Sequence, residues 1–172
     1  VREAVLSHRA DASFEHTVQP KMVYISNPTE LGTLYTKAEL TALRDTCREL
    51  GLYLFLDGAR LGYGLMAKDN DLTLKDIGDC CDVFYIGGTK VGALFGEAVV
   101  ITNPALKEDF RYLIKQRGGM LAKGRLLGIQ FDTLMTDKLY FDISAHAIAL
   151  AVKLENTFKE LGVPFLVKVQ SN

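Results

Sequence analysis

The stretch "ELGLYLFLDGAR", residues 49–60, contains the end of a helix, an apolar strand and a polar turn. Gly51 stands where the left-handed residue that follows a helix is usually found. The segment Leu52–Leu56 is apolar at every position, which is typical of a strand buried on both faces in a parallel sheet. Asp57-Gly58 then forms a typical turn pair. A helix followed at once by such a strand predicts an α/β fold.

The flanking sequence continues this alternation. Thr36-Lys37-Ala38-Glu39 has the form of a capping box, and it predicts a helix that reaches Gly51. Apolar and β-branched runs predict three more strands, at Met22–Ser26, Val83–Ile86 and Ala98–Thr102. The last two are too close for a helical crossover, so we expect a hairpin or a long glycine loop between neighbours. Further helices are predicted at Thr73–Ile77, from Asn103-Pro104 to about Arg117, at Leu121–Thr136 and at Ser144–Leu161.

The predicted fold class is therefore α/β, with a mostly parallel sheet flanked by helices. A change of composition near 140–144 predicts a hinge. Residues 1–140 would belong to a large domain, and residues 141–172 would begin a small α+β domain. The first residue is Val1, in a segment of helical character, and Val163–Val169 has the composition of a strand without its turn. We therefore expect a longer parent protein.

Composition narrows the class of protein. The net charge is −1, which makes a nucleic-acid partner unexpected. No apolar run has the length of a membrane span, and no secretory signal opens the chain, so no membrane partner is expected. The three cysteines, Cys47, Cys80 and Cys81, are odd in number and two are adjacent. This pattern suits neither a disulfide framework nor a zinc site, so we expect reduced thiols, a cytoplasmic location and no metal.

Polar groups follow three of the predicted strands at the point where each ends. Ligands of open α/β sheets bind at the carboxyl ends of the strands, so these groups are the first candidates for a site. They are Ser26 to Glu30 after the first strand, Asp57 and Arg60 after the second, and Thr89 and Lys90 after the third.

Lys90 lies in the glycine-rich stretch "YIGGTKVGALFG", residues 85–96. A phosphate loop would need Gly-Lys followed by Ser or Thr at the start of a helix, whereas here Val91 follows and then a strand. The GxGxxG dinucleotide pattern is also absent. A surface lysine in a loop is one interpretation. The functional alternative is an amine that forms a Schiff base with a carbonyl cofactor, where small neighbours would let a planar ring approach closely.

Asp57 and Arg60 supply the complementary charges. An aspartate before glycine can simply form a turn, and an arginine on a surface can simply form a salt bridge. In the functional interpretation, Asp57 is a carboxylate partner for the pyridine nitrogen of pyridoxal phosphate (PLP), and Arg60 binds the cofactor's phenolic oxygen or a substrate carboxylate.

Four stretches carry a family resemblance. They are "LFLDGARLGYGL" (54–65), "DVFYIGGTKVGALFGEAVVI" (82–101), "YISNPTELGTLYTKAEL" (24–40) and "RGGMLAKGRLLG" (117–128). Together they resemble the threonine aldolase and aromatic amino acid β-eliminating lyase family of PLP enzymes. That resemblance implies fold type I, the aspartate aminotransferase-like large domain, and a homodimer or homotetramer.

The resemblance also implies roles for individual residues. Lys90 would hold PLP covalently as the internal aldimine, and Asp57 would pair with the pyridine nitrogen. Arg60 would bind the substrate carboxylate or O3′ of the cofactor. The other implied cofactor-binding residues are Ala59 against the ring face, Thr89 near the phosphate, and Asn27 and Thr29 at the ring edge.

The implied reaction is cleavage of the Cα–Cβ bond of a β-hydroxy-α-amino acid, threonine or allo-threonine, to glycine and acetaldehyde. β-Elimination of another amino acid by the same scaffold is the alternative. For the 172 residues alone, a non-catalytic structural piece is a third hypothesis, because the family's phosphate cup precedes this region.

Two departures from the family pattern bear on these roles. Leu121 and Ala122 replace a usual Arg-Gln, so Lys123 or Arg125 would take over the phosphate, or it is held differently. Gly62-Tyr63 also replaces a usual Trp-Asn, which predicts a different substrate shape.

Overall fold

A computed structural model describes all residues, 1–172. Four strands form one sheet in the order β1-β2-β3-β4. The first three strands are parallel, and β4 returns antiparallel to β3 as a hairpin. The predicted fold class and the predicted hairpin are therefore confirmed. The strands are β1 (Met22–Ser26), β2 (Tyr53–Asp57), β3 (Val83–Gly87) and β4 (Glu97–Ile101).

Seven α-helices accompany the sheet. Short 3₁₀ turns lie between them, at Phe14–His16, Thr89–Val91, Pro104–Leu106 and Thr136–Lys138. None of the helices combines the length and the apolarity that a bilayer crossing requires. The helices are α1 (Arg2–Ala10), α2 (Lys37–Leu50), α3 (Leu61–Met66), α4 (Leu74–Cys80), α5 (Phe110–Gln116), α6 (Arg125–Met135) and α7 (Leu139–Glu160).

Local signals set both ends of α2 as predicted. The side chains of Thr36 and Glu39 form a reciprocal capping box, which satisfies backbone N–H groups that the first turn leaves free. Gly51 ends the helix in the left-handed conformation, with φ 67°. Leu40 and Cys47 of this helix are buried. The chain can therefore turn directly from α2 into β2.

Helices cover only one face of the sheet. Ile25, Leu54, Leu56 and Phe84 point to that face and join a core with residues of α2, α3 and α4. Successive side chains of a strand point to opposite faces of the sheet, so the remaining residues of each strand lie on the opposite face. The expectation that β2 is buried on both faces was wrong. This open face carries Met22, Tyr24, Tyr53, Phe55, Tyr85 and Val99, all partly or largely exposed.

The helices after β4 differ from the prediction. The helix expected up to Arg117 is split into a 3₁₀ turn and α5, because Asp109 adopts φ 55° between them. Helix α6 begins only at Arg125. Residues 163–169 form no strand.

Helix α7 begins at Leu139, five residues before the predicted start at Ser144. The proposed boundary after residue 140 thus falls in the first turn of α7, and the division into domains stays a prediction. Within α7, Ile148 is buried, whereas Val152 and Phe158 are exposed.

Backbone contacts bring the ends of β2 and β3 together. A Cβ at Gly58 would overlap the carbonyl oxygen of Tyr85, and a Cβ at Gly87 would overlap the carbonyl of Ala59. The Gly87 N–H donates to the Gly58 carbonyl at 2.9 Å. Only glycine permits this approach.

We predict that Gly58→Ala lowers the free energy of unfolding by about 3 kcal/mol or more, since the added methyl group and the Tyr85 carbonyl cannot share one space. Gly128→Ala in α6 is the control, because no atom lies within 4 Å of its added Cβ. That change should raise stability by up to about 1 kcal/mol through helix propensity. Urea unfolding of the two full-length variants measures the difference, and equal midpoints would contradict the packing described.

Candidate active site

Three strand ends meet at one edge of the sheet. Ser26 pairs with Asp57, and the pairing of Leu56 with Phe84 puts Asp57 beside Tyr85. The turn that contains Lys90 follows β3 at the same edge. The structure therefore brings Asp57 and Lys90 to neighbouring positions, as the sequence predicted for polar groups that follow parallel strands.

Both carboxylate oxygens of Asp57 accept hydrogen bonds. The Ala59 N–H donates to Oδ1 at 2.9 Å, and the Tyr24 hydroxyl donates to Oδ2. Burial alone would raise the pKa of Asp57. The hydroxyls of Tyr24 and Tyr85, the Ala59 N–H and the charge of Lys90 outweigh burial, so the pKa lies below its usual value. Asp57 is thus held as an anion.

Lys90 is exposed and forms no ion pair. The backbone of Lys90 is nevertheless held in place, because the Tyr63 hydroxyl donates to the Lys90 carbonyl and the next residue, Val91, is fully buried. An unpaired lysine side chain on a fixed backbone, at the same sheet edge as Asp57, is placed to bond to a carbonyl group.

The glycines around Lys90 serve the packing of the chain itself. A Cβ at Gly88 would lie 2.7 Å from the Gly96 carbonyl and 2.7 Å from the ring of Phe131. With the overlap at Gly87, this shows that the space beside both glycines is filled by protein. We expected these glycines to leave space for a cofactor ring. Protein atoms fill the space beside Gly87 and Gly88 instead.

Glu97 accepts hydrogen bonds from two donors of the loop that contains Lys90. Its carboxylate accepts the Gly88 N–H at 2.8 Å and the Thr89 hydroxyl at 3.4 Å. A phosphate next to Thr89 would meet this negative charge, so Glu97 would have to move before Thr89 could bind one. The assignment of Thr89 to the phosphate stays a prediction.

Arg60 pairs with Glu30 at 2.9 Å. The arginine side chain is 25% exposed and the glutamate 76% exposed, so the pair is weak and open to exchange. A substrate carboxylate could replace Glu30 with little loss. The pairing therefore leaves the predicted role of Arg60 open.

Asn27 and Thr29 hold the loop after β1. Asn27 is buried, and its side-chain oxygen accepts the Tyr35 N–H at 3.1 Å. The Thr29 hydroxyl lies 2.6 Å from that of Thr33. Both side chains serve the loop, and their predicted places at a ring edge stay predictions.

A fourth element reaches the site through Tyr140, on α7. Its buried hydroxyl donates to the Gly87 carbonyl at 3.0 Å and accepts the Gly62 N–H at 3.1 Å. Burial raises the pKa of Tyr140 to about 12, so the hydroxyl stays protonated. Tyr140 thereby ties the loop of Lys90 to α3, which follows Asp57 and Arg60.

Sequence reasoning missed several of these residues. Tyr24 and Tyr85 could have been suspected, because each shares a face with Asp57 once the strands are aligned. No local sequence motif indicated that Tyr140 or Glu97 would lie at this site. Lys123 and Arg125, the candidate phosphate cations, are both exposed.

A cavity of about 610 Å³ lies elsewhere, at the opposite edge of the sheet. It is lined in part by Arg44, Arg48 and the three cysteines, all of them free thiols. Burial raises the pKa of Cys81 to about 12, which leaves that thiol unreactive. The carboxyl edge, with its anion and free amine, remains the better candidate.

The residues at the carboxyl edge fit PLP. The cofactor needs an amine that can bond to its aldehyde and an anion for its pyridine nitrogen. Lys90 and Asp57 supply these two groups at one edge, and no cation is paired directly with Asp57.

Comparison with known proteins agrees with this geometry. Residues 3–170 match the family model described as beta-eliminating lyase. A low specificity L-threonine aldolase from a Pseudomonas species is 37% identical over 161 residues, which cover 91% of this chain and 46% of the relative. The chain thus spans about half the length of this curated relative.

Solved structures give the same result. A Leishmania major threonine aldolase aligns with a TM-score of 0.93 and 51% identity, over 99% of this chain and 48% of that one. A PLP-bound C-S lyase from Staphylococcus hominis has a TM-score of 0.64 at 15% identity, over 91% of this chain and 42% of that one. At that identity the likeness shows the fold alone.

We predict that Tyr140→Phe lowers the free energy of unfolding by about 2 kcal/mol, since it leaves the buried Gly62 N–H and Gly87 carbonyl without partners. Tyr112→Phe is the control, because Tyr112 is 76% exposed. Denaturant unfolding gives the energy, and amide exchange at Gly62 should accelerate in the first variant only. Unchanged exchange there would contradict the role of the hydroxyl.

Proposed function

This chain belongs to the beta-eliminating lyase family, and on that premise we propose that the whole protein is a PLP-dependent carbon–carbon lyase. Its substrate would be a β-hydroxy-α-amino acid, threonine or allo-threonine, which it would cleave to glycine and acetaldehyde. The observation that carries the proposal is the placement of Asp57 and Lys90 at one sheet edge, close enough for the lysine to lower the pKa of the carboxyl. The names of the relatives, threonine aldolases, support the substrate class.

Each residue has a defined task in this proposal. Bound PLP supplies an electron-withdrawing ring, which weakens the bonds at the substrate's Cα. Lys90 would hold the cofactor by its amine and give it up to the substrate's amine. Asp57 would keep a negative charge at the pyridine nitrogen. Arg60 would release Glu30 and orient the substrate carboxylate, with two N–H groups toward its two oxygens.

β-Elimination is the second candidate, and the description of the family model favours it. The two reactions differ in their products. Cleavage of threonine gives glycine and an aldehyde, whereas elimination gives ammonia and a keto acid. Product analysis with threonine, allo-threonine and serine separates them, and ammonia without glycine would reject the aldolase assignment.

Three further statements remain proposals. The resemblance implies a homo-oligomer, and the pattern of the three cysteines favours a cytoplasmic location for the whole protein. We also propose that the 172 residues alone are non-catalytic, because they leave one face of the sheet open beside Asp57.

We predict that Lys90→Ala in the full-length protein removes the visible absorbance of bound PLP and lowers turnover by at least about 10³-fold, since no other amine lies in that turn. Lys107→Ala is the control, because Lys107 is an exposed lysine that follows β4 at the opposite edge. Absorbance spectra and product formation are measured together. Full colour and turnover in the Lys90 variant would overturn the assignment.

A further inference from the structure

We propose that Tyr24 is a positioning residue, which holds the Asp57 carboxylate in the orientation that receives the pyridine N–H of bound PLP. This inference rests on the proposed function. It concerns a strand residue to which the family resemblance assigned no role.

The sheet register brings Tyr24 to Asp57. Tyr24 pairs with Phe55 and Ser26 pairs with Asp57, so the tyrosine is the diagonal neighbour of the aspartate on the open face. A diagonal neighbour is within reach of an aromatic side chain. The Tyr24 hydroxyl donates to Oδ2, while the Ala59 N–H holds Oδ1 at 2.9 Å. With one donor on each oxygen, the carboxylate plane is fixed.

Stacking fixes the tyrosine rings as well. The ring of Tyr24 lies 5.3 Å from that of Phe55 at an interplanar angle of 11°. Tyr85 contacts the same phenylalanine from the other side, with ring centroids 6.1 Å apart. The Tyr24 ring, held in this way, loses little further freedom when its hydroxyl binds Asp57. That hydroxyl is thus in place before any cofactor arrives.

Neutral hydrogen-bond donors hold the Asp57 carboxylate without the loss of charge that a cation beside it would cause. A carboxylate has about four acceptor positions, so the donors around Asp57 leave room for one more N–H. An arginine in place of Tyr24 would cancel the charge that a protonated pyridine needs. Hydroxyls stabilise the anion and leave its charge uncancelled.

The groups that face Asp57 predict a pH effect. They are Tyr24 from β1, Tyr85 from β3 and Lys90 from the following turn, with Glu30 acting on Tyr24. Burial alone would raise the pKa of Asp57, and the hydrogen bond from the Tyr24 hydroxyl is the largest of the effects that counteract it. Loss of that hydroxyl therefore raises the pKa of Asp57. The Asp57 carboxylate is the form that binds the cofactor. As the pH falls, a variant with the raised pKa therefore loses this form at a higher pH than the wild type does.

The test uses the full-length protein and pyridoxine 5′-phosphate, which lacks the aldehyde and so cannot bond to Lys90. Its affinity is titrated as a function of pH for the wild type and for Tyr24→Phe. Tyr53→Phe is the control, because Tyr53 lies on the same face and its hydroxyl binds no protein group. Phenylalanine retains the rings and their stacking, and a thermal scan of each variant checks that it is folded.

We predict about fivefold to tenfold weaker binding for Tyr24→Phe, from the loss of one hydrogen bond to a charged group. The midpoint of the acid limb of the Tyr24→Phe titration should move to higher pH. Tyr53→Phe should match the wild type in both measurements.

Asp57→Asn separates this inference from the proposed function. If the asparagine variant binds as tightly as the wild type, or the wild type does not bind, the role of Asp57 fails and the inference fails with it. If Asp57→Asn loses binding while Tyr24→Phe keeps wild-type affinity and acid midpoint, the inference alone is overturned.

Discussion

The contact between Gly58 and the carbonyl of Tyr85 determines where the chemistry of this molecule lies. Two strand ends meet with no side chain between them, because a Cβ on Gly58 would overlap the Tyr85 carbonyl. The residue before Gly58 is Asp57, and the turn after Gly87 contains Lys90. Backbone packing thus brings an anion and an amine that are 33 residues apart in the chain to one sheet edge.

The surroundings of that edge differ on its two sides. Toward the helices, Tyr140 ties the Lys90 loop to α3 through a buried hydroxyl. On the open face, Tyr24 and Phe55 form a stacked aromatic surface that ends at Asp57. The hydrogen bonds of Tyr140 on one side and of Tyr24 on the other thus hold the groups of this edge in place, as a binding site requires.

Local signals allowed much of this to be predicted, and long-range contacts explain what was missed. The capping box at Thr36 and the left-handed Gly51 depend on neighbours in sequence, so the bounds of α2 were predicted correctly. Asp57 and Lys90 were found because each follows a strand. The open face was not predicted, since an apolar strand sequence does not say which elements cover it. Tyr140 was missed because its partners are 53 and 78 residues away.

The most direct test of the account asks which amine carries the cofactor. The full-length protein is loaded with PLP and reduced with borohydride, which makes the bond between cofactor and lysine permanent. Peptide mapping then locates the label. We predict a single pyridoxyl group on Lys90, in the peptide that contains "GGTKVG". A label on another lysine, with Lys90 unmodified, would contradict it.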